Sequence, residues 1–299
     1  MKTVFIAGGG TGGHIYPGIA IARALMKKQQ DIQVHFVGTT SGLEKKIIPK
    51  EGFPLHFVAG GKLNMSGRII DKLKTIVKLP IGFFQSLVLL LKYKPNFVIG
   101  VGGYASGPFV LVASLLGIQT AIWEPNAHPG MANRWLAHFV DCCYVVFEAA
   151  KKYLNNENIF QFGMPVRAEI ESPIKQNRND DQFHLLSFGG SQGSRYISTV
   201  LSDAMIESGE WNLNLKLVHQ SGSVDFEKLK QKYNDVKNVE LLEYIYDMPK
   251  YYAWADLVVC RGGASTIAEL AAFGVVPIIV PLPADRKSTR LNSSHATLS

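Results

Sequence analysis

The sequence has few charged residues and very few cysteines, and both features limit the class of protein to which the chain can belong. Charged residues make up 18% of the 299 residues and hydrophobic residues 47%, which indicates a well-packed globular protein and excludes a disordered one. The three cysteines, Cys142, Cys143 and Cys260, are an odd number without metal-ligand spacing. This usage favours reduced, buried thiols in a cytoplasmic protein.

The sequence also lacks a secretion signal and any hydrophobic run long enough to cross a bilayer, which takes about 20 residues. The longest candidate, LPIGFFQSLVLLL at 79–91, is too short and contains Pro80, Gly82 and Gln85. The chain does carry a formal charge of +7, which predicts an anionic partner such as a nucleotide, a nucleic acid or an acidic membrane surface. No recognition motif or basic–aromatic run supports nucleic acid, so we expect none.

Short β-branched runs alternate with helical patterns along most of the chain, which predicts an α/β fold with parallel sheets covered on both faces. The predicted strands are Thr3–Ala7, Gln33–Val37, Phe97–Val101, Gln119–Trp123, Cys143–Val146, His184–Phe188, Leu215–His219, Val239–Glu243, Leu257–Cys260 and Val276–Val280, and the predicted helices include Pro17–Lys28, Ser106–Leu116 and Thr266–Phe273. Because a strand followed by a glycine loop occurs at the start and again at 184–194, we expect two Rossmann-like domains, at 1–160 and 161–284. Ligands should bind in a cleft between them, at the carboxyl ends of the strands.

The last residues do not fit this pattern. Residues 285–295 read DRKSTRLNSSH, and their back-translation with ordinary codons resembles a common short-read sequencing adapter. We therefore expect 285–299 to be a non-native tail and the second domain to be incomplete, without its closing helices.

The opening loop, GGGTGGH at 8–14, matches G-x-G-x-x-G between a strand and a helix. A dinucleotide site also needs an acidic residue at the tip of the second strand, and VHFVGTTSG offers none. A Walker loop needs Lys-Ser/Thr where His14-Ile15 stands. The alternative is purely structural, a tight turn with Thr11 capping the helix. His14 could simply be packed, but at a helix N-terminus the dipole would keep it neutral, as a general base must be.

Two further glycine turns follow apolar strands in the second half. Amides of residues 189–194 and the Ser191 hydroxyl can hold a diphosphate at a helix N-terminus. In CRGGASTIAEL at 260–270, the carboxylate of Glu269 can accept hydrogen bonds from both hydroxyls of a ribose. The alternative for Glu269 is a dipole partner on an exposed helix face.

The motifs GGTGGHIYPG, GVGGYASGP, WEPNAHPGMANR, GMPVR, GGSQGSR and RGGASTIAEL closely resemble the MurG family, in order from residue 3 to about 283. The resemblance implies a GT-B fold, a UDP-N-acetylglucosamine donor and an undecaprenyl-linked acceptor, lipid I, on the cytoplasmic face of the bacterial inner membrane. It implies an inverting transfer of N-acetylglucosamine to the 4-hydroxyl of the acceptor's N-acetylmuramic acid, giving lipid II for peptidoglycan. No cofactor and no catalytic metal is expected.

The resemblance also implies the site residues. His14 is the leading base, with Glu124 either second candidate or the group that orients His14. Arg167 and Ser191 would contact the diphosphate, backbone groups of Ile245 the uracil, and Glu269 the ribose. The other implied positions are Thr11, Gly12, Gly13 and Asn126 beside the donor, Tyr104, Glu124 and Asn126 on the acceptor side, and Ala264, Ser265, Thr266, Ile267 and Ala268 along the diphosphate and ribose.

Two departures from the family pattern stand out. The family's His-Glu-Gln-Asn is Trp123-Glu124-Pro125-Asn126 here, and the Gln-rich segment after the last matched strand is replaced by the tail. The alternative functions are a related GT-B transferase with another glycolipid acceptor, and an inactive fragment that binds UDP-sugar.

A membrane-bound acceptor requires contact with a lipid surface, and the segment 67–94 combines apolar and basic residues in the way that interfacial segments do. The expected patch on anionic lipid consists of Lys72, Lys74, Lys78, Phe83, Phe84, Leu87 and Leu91. The alternative is a covering helix packed on the N-terminal sheet.

Overall fold

The computed structural model describes residues 2–60, 69–166, 181–190, 192–208 and 214–281, without the side chains of 69–78 and 208. The chain divides into two compact units, Met1–Arg167 and Ala168–Ser299, where the sequence predicted domains at 1–160 and 161–284. The expected tail, 285–299, lies outside the described residues. No helix in the described part is long and apolar enough to cross a membrane.

The first unit is a parallel sheet with helices between its strands. Its elements are β1 (Lys2–Gly8), α1 (Gly12–Lys28), β2 (Ile32–Gly38), α2 (Glu44–Lys50), β3 (Leu55–Phe57), α3 (Ile69–Tyr93), β4 (Phe97–Gly102), α4 (Ser106–Leu115), β5 (Gln119–Glu124), α5 (Met131–Leu136), β6 (Cys142–Val145), a 3₁₀ helix (Glu148–Tyr153) and β7 (Ile159–Gln161). The strand order is β3-β2-β1-β4-β5-β6-β7, and every pairing is parallel.

Both faces of this sheet are covered, as the continuous apolar strands predicted. Val4 and Ile6 of β1 belong to one buried cluster together with Ile19 of α1, whereas Phe5 belongs to another together with Phe109 of α4. Successive side chains of a strand point to opposite faces, so β1 anchors both cores.

The second unit has the same construction with five strands. Its described elements are β8 (Phe183–Phe188), α6 (Arg195–Ser208), β9 (Leu215–Gln220), α7 (Phe226–Lys232), β10 (Val239–Leu242), α8 (Met248–Trp254), β11 (Leu257–Cys260), α9 (Ala264–Phe273) and β12 (Val276–Ile279). The strand order is β10-β9-β8-β11-β12, again entirely parallel.

All ten predicted strands are confirmed, with ends shifted by at most one residue, and the expected α/β class with two parallel-sheet units is confirmed with them. The strands β3 and β7 were not predicted, because they are three-residue edge strands and too short to show a period. Helix α1 also begins at Gly12 rather than at Pro17.

Candidate active site

In the first unit, the strand order reverses beside β1. The chain passes from β1 to β2 on one side and later returns to β4 on the other, so a crevice opens at the carboxyl ends of β1 and β4. The loop after β1 leads to His14, the loop after β4 begins at Gly102, and the neighbouring β5 ends at Glu124. The topology therefore brings the two predicted catalytic candidates to one edge of the sheet.

His14 is the third residue of α1 and packs against the end of β4. A Cβ placed on Gly102, where φ is +98°, would lie 2.7 Å from the His14 Nδ1, so a glycine is needed for this approach. Burial lowers the pKa of His14, while the charge of Glu124, the carbonyl of Val101 and the charge of Glu44 raise it. The expected direction is confirmed, but the main cause is desolvation rather than the helix dipole.

Glu124 is buried and surrounded by hydrogen-bond donors. Its Oε1 accepts from the Asn126 backbone N–H at 2.9 Å and from Nδ2 of the same residue at 2.8 Å. Its Oε2 accepts from the Gly130 N–H at 3.1 Å and from Asn133 Nδ2 at 2.9 Å. With four donors on two oxygens, this carboxylate holds the loop between β5 and α5, and its charge favours protonation of His14.

The other predicted residues of the first unit lie on the loops of the same edge. Thr11 is the N-cap residue of α1, but its side chain makes no capping hydrogen bond, so the structural alternative of a Thr11 cap is wrong. Thr11, Gly13, Tyr104 and Asn126 are exposed and Gly12 is partly exposed.

The opening glycine loop has an internal partner that the sequence analysis missed. The Gly10 N–H donates to Glu44 Oε2 at 2.7 Å, and Glu44 is 1% exposed. The tip of β2 has no acidic residue, and Glu44 lies six residues beyond that tip, at the start of α2. The only available signal was GTTSGLEKK, in which an acidic residue opens a helical pattern.

In the second unit the strand order reverses beside β8, between β9 and β11. The loop after β8 holds the glycine turn at 189–194, and the loop after β11 leads into α9. The first intrahelical bond of α9 runs from the Ile267 N–H to the Gly263 carbonyl at 3.0 Å. The amides of Ala264, Ser265 and Thr266 precede that bond, and such first-turn amides are suited to an anion.

A buried glutamine links the predicted diphosphate loop to the predicted uracil contact. Gln220, the last residue of β9, is 2% exposed. Its Nε2 donates to the Gly190 carbonyl at 2.8 Å, and its Oε1 accepts from the Ile245 N–H at 3.1 Å. The N–H of Ile245 therefore has a partner within the protein. The backbone group of Ile245 that remains for the predicted uracil contact is its carbonyl. Gln220 was not predicted, because nothing in HQSG distinguishes it from a surface glutamine.

A single arginine ties the two glycine turns of this unit together. Arg261 Nη2 donates to Ser194 Oγ at 2.8 Å, and Nη1 donates to the carbonyls of Val280, at 3.0 Å, and Pro281. The loops after β8, β11 and β12 are thus fixed relative to one another by one planar guanidinium.

Glu269 occupies the second turn of α9 and is 9% exposed, so the alternative of an exposed dipole partner is wrong. The Tyr252 hydroxyl donates to Glu269 Oε2 at 2.9 Å. This hydrogen bond joins α8 to α9, the helix that follows the glycine turn after β11. Arg167 and Ser191, expected at the diphosphate, lie outside the described residues. Within the described ranges, no three His, Cys, Asp or Glu side chains cluster as metal ligands do.

The expected lipid patch on α3 needs correction. Phe83 and Leu87 are half-buried and pack against the core, so they do not belong to an exposed patch. Phe84 and Leu91 are 67% and 56% exposed, as expected. The side chains of Lys72, Lys74 and Lys78 lie outside the described part. Two further apolar residues of α3, Ile81 and Val88, are both 48% exposed. Together with Phe84 and Leu91 they form a stripe at helical spacing, which we call the α3 stripe.

Comparisons with known proteins give this architecture a class. The profile described as the glycosyltransferase family 28 N-terminal domain matches residues 4–145, and the corresponding C-terminal domain profile matches residues 184–296. Two parallel-sheet units with glycine turns at their switch points, matched by these two domains, define a GT-B glycosyltransferase.

The similar proteins are more specific. A UDP-N-acetylglucosamine–N-acetylmuramyl-(pentapeptide) pyrophosphoryl-undecaprenol N-acetylglucosamine transferase of Bdellovibrio bacteriovorus is 61% identical over 284 residues, which is 95% of this chain and 79% of the relative. The Myxococcus xanthus protein of the same name is 41% identical, covering 95% and 74%. The crystal structure of Acinetobacter baumannii MurG aligns with a TM-score of 0.68 at 29% identity, covering 98% of this chain and 82% of that one. The chain therefore belongs to the MurG family of glycosyltransferases.

A more distant structure shares only the fold. UDP-GlcNAc 2-epimerase from Neisseria meningitidis, solved with UDP-GlcNAc, aligns with a TM-score of 0.63 at 12% identity, covering 97% of this chain and 85% of that one. It supports the two-unit architecture and says nothing of the reaction of this chain.

Proposed function

We propose that this chain transfers N-acetylglucosamine from UDP-N-acetylglucosamine to the 4-hydroxyl of the N-acetylmuramic acid of lipid I, which gives lipid II for peptidoglycan synthesis. The observation that carries the proposal is the 61% identity to a relative named for this transfer. The site supports it, because one unit presents a histidine suited to act as a base and the other presents amides suited to a diphosphate.

The reaction assigns a separate task to each unit. The acceptor hydroxyl attacks the anomeric carbon, the bond from that carbon to the UDP oxygen breaks, and the linkage inverts to β. His14 takes the hydroxyl proton, and UDP leaves with the bonding electrons. The amides at the start of α9 stabilise the charge that develops on the leaving diphosphate, and so would Arg167 and Ser191.

Glu124 fits the role of a positioning residue better than that of the base. Its two oxygens already accept four hydrogen bonds, from Asn126, Gly130 and Asn133, so a substrate hydroxyl would have to displace one of them. Its charge instead favours the protonated form of His14 that arises as the proton moves. We assign the base to His14.

The test is transfer of radiolabelled N-acetylglucosamine to a short-chain lipid I analogue by the whole chain. His14→Ala should lower turnover by about 10²- to 10⁴-fold, the contribution of a general base, while the Kd for UDP changes less than about twofold. His138→Ala, at an exposed histidine of the same unit, is the matched control. Near-normal turnover in His14→Ala would remove this residue from the role. Transfer only to a different glycolipid would replace lipid I as the acceptor.

The α3 stripe provides a surface for the lipid-linked acceptor's membrane, which we place at the cytoplasmic face of the inner membrane. The four exposed apolar side chains of the stripe are followed by Lys92 and Lys94, both exposed. Apolar insertion combined with basic residues is the pattern of peripheral binding to anionic lipid.

Binding to vesicles with and without phosphatidylglycerol tests the stripe. The double variant Phe84→Ser/Leu91→Ser should lose at least about tenfold in partitioning, since each change removes several buried methylene equivalents. Val224→Ser, at a residue of the second unit that is 73% exposed, is the control and should partition like the wild type. Equal partitioning of all three proteins would contradict the assignment.

A further inference from the structure

The glycine loop that opens the chain is organised around a carboxylate of the protein itself. Glu44 Oε2 accepts from the Gly10 N–H at 2.7 Å. Its Oε1 accepts from the Thr39 N–H at 2.9 Å and from Thr39 Oγ1 at 3.0 Å. The side chain is 1% exposed, and a buried carboxylate is tolerated only when such donors surround it.

Glycines from three segments form the walls around this carboxylate. A Cβ on Gly9 (after β1), on Gly38 (at the end of β2) or on Gly42 (before α2) would overlap atoms of the Glu44 side chain. The glycines at these positions are thus explained by the close approach of Glu44. The amide of Gly10, which in a phosphate-binding loop would face the ligand, faces this carboxylate instead.

This loop leads directly into the helix that carries His14. Gly10 is two residues before the start of α1, and His14 is the third residue of that helix. Helix α1 has no side-chain cap at Thr11 and no acidic residue in its first turn. Glu44 therefore supplies both the fixed point of the loop and a negative charge near the helix N-terminus.

We propose that Glu44 is a positioning residue for the transfer: its carboxylate holds the loop at residues 9–12 so that His14 meets the acceptor hydroxyl. This inference rests on the proposed function. It assigns the first glycine loop to placing the base, and the diphosphate to the glycine turns of the second unit.

Glu44→Gln is the discriminating substitution. A glutamine side chain has only one acceptor oxygen. When that oxygen accepts from Thr39, the NH₂ group faces the Gly10 N–H, and two donors cannot form a hydrogen bond with each other. We expect kcat with the lipid I analogue to fall at least about tenfold and the Kd for UDP to stay within about twofold. Glu51→Gln removes the same charge at the other end of α2, where Glu51 pairs with Arg23 on the surface, and should leave both within about twofold.

The pH profile separates positioning from general loss of structure. The groups that raise the pKa of His14 are Glu124 at the end of β5, the Val101 carbonyl of β4 and Glu44 on α2. Loss of the Glu44 charge should lower the pKa of His14 further. Because His14 must be neutral to act as the base, kcat should then begin to fall only at a lower pH on the acidic limb of its profile. Glu44→Asp keeps the charge but is one methylene shorter, so kcat should fall while the limb stays in place. A lower kcat with an unmoved limb in Glu44→Gln would reduce Glu44 to a structural residue.

Hydrogen exchange on the whole chain gives a readout that does not require turnover. Amides of residues 8–16 should exchange faster in Glu44→Gln, or in Glu44→Asp if the glutamine variant does not fold, than in Glu51→Gln. Equal exchange and equal kcat in the Glu44 and Glu51 variants would overturn the inference. A wild type that fails to use the lipid I analogue overturns the proposed function alone. The exchange comparison still tests whether Glu44 holds the loop at residues 9–12.

Discussion

Replacement of Gln220 by methionine removes two hydrogen bonds at the donor side without changing the size of the side chain much. The Gly190 carbonyl belongs to a partly exposed residue and can recover a water, whereas Ile245 is 4% exposed. The main cost is therefore the unpaired Ile245 N–H, about 1–3 kcal/mol of unfolding free energy. Gln220 joins Ile245, the predicted uracil contact, to the Gly190 turn, the predicted diphosphate loop. Because its loss should loosen both, we expect the Kd for UDP to rise about tenfold, which corresponds to about 1.4 kcal/mol.

Titration calorimetry with UDP and urea unfolding measure the two effects separately. Gln220→Glu extends the test, because it keeps the acceptor for Ile245, loses the donor to Gly190 and adds a negative charge beside the proposed diphosphate site. It should bind UDP more weakly than Gln220→Met. Gln231→Met, at an exposed position of α7, is the control. If Gln220→Met and Gln231→Met have the same Kd for UDP and the same free energy of unfolding, then the hydrogen bonds of Gln220 contribute neither to UDP binding nor to stability. That result would refute the prediction.

Two further predictions concern the same unit. Burial lowers the pKa of His219 to about 4, so its neutral form is favoured on folding: stability is complete above pH 6.5, the unfolded value, and falls by about 3 kcal/mol as pH drops from 6.5 to 4. Urea unfolding across this range should show that slope, and a slope unchanged in His219→Gln would contradict it. Tyr252→Phe removes a donor to Glu269, so the preference for UDP over 2′-deoxy-UDP should shrink several-fold, while the affinity for pyrophosphate stays constant. An unchanged preference in competition binding would argue against Glu269 as the ribose contact.

Much of the fold was predictable because the signals are local. A parallel strand covered on both faces is a continuous apolar run, and the ten predicted runs are strands of the two sheets. The edge strands β3 and β7 have three residues each and carry no such signal. The glycine turns at 8–13, 189–194 and 262–263 were recognised from strand–glycine–helix order, which also predicted their place at the carboxyl edges.

The candidate site was predictable only in part. His14, Glu124 and Glu269 were named from motifs, but the partners that hold them were not: Asn133 is nine residues from Glu124, and Tyr252 is seventeen residues from Glu269. Such contacts depend on the packing of whole elements, which no short pattern encodes.

The sequence by itself determined the strands, the glycine turns and the family of this protein, because apolar period and turn chemistry are properties of neighbouring residues. Only the tertiary structure decided that Phe84 and not Phe83 faces outward from α3, since that choice depends on which side of the helix packs on the core. It likewise decided that the first glycine loop surrounds Glu44. An acidic residue six positions past the end of β2 reaches that loop only because α2 folds back over the ends of β1 and β2, where a buried charge requires three donors and no Cβ in its way.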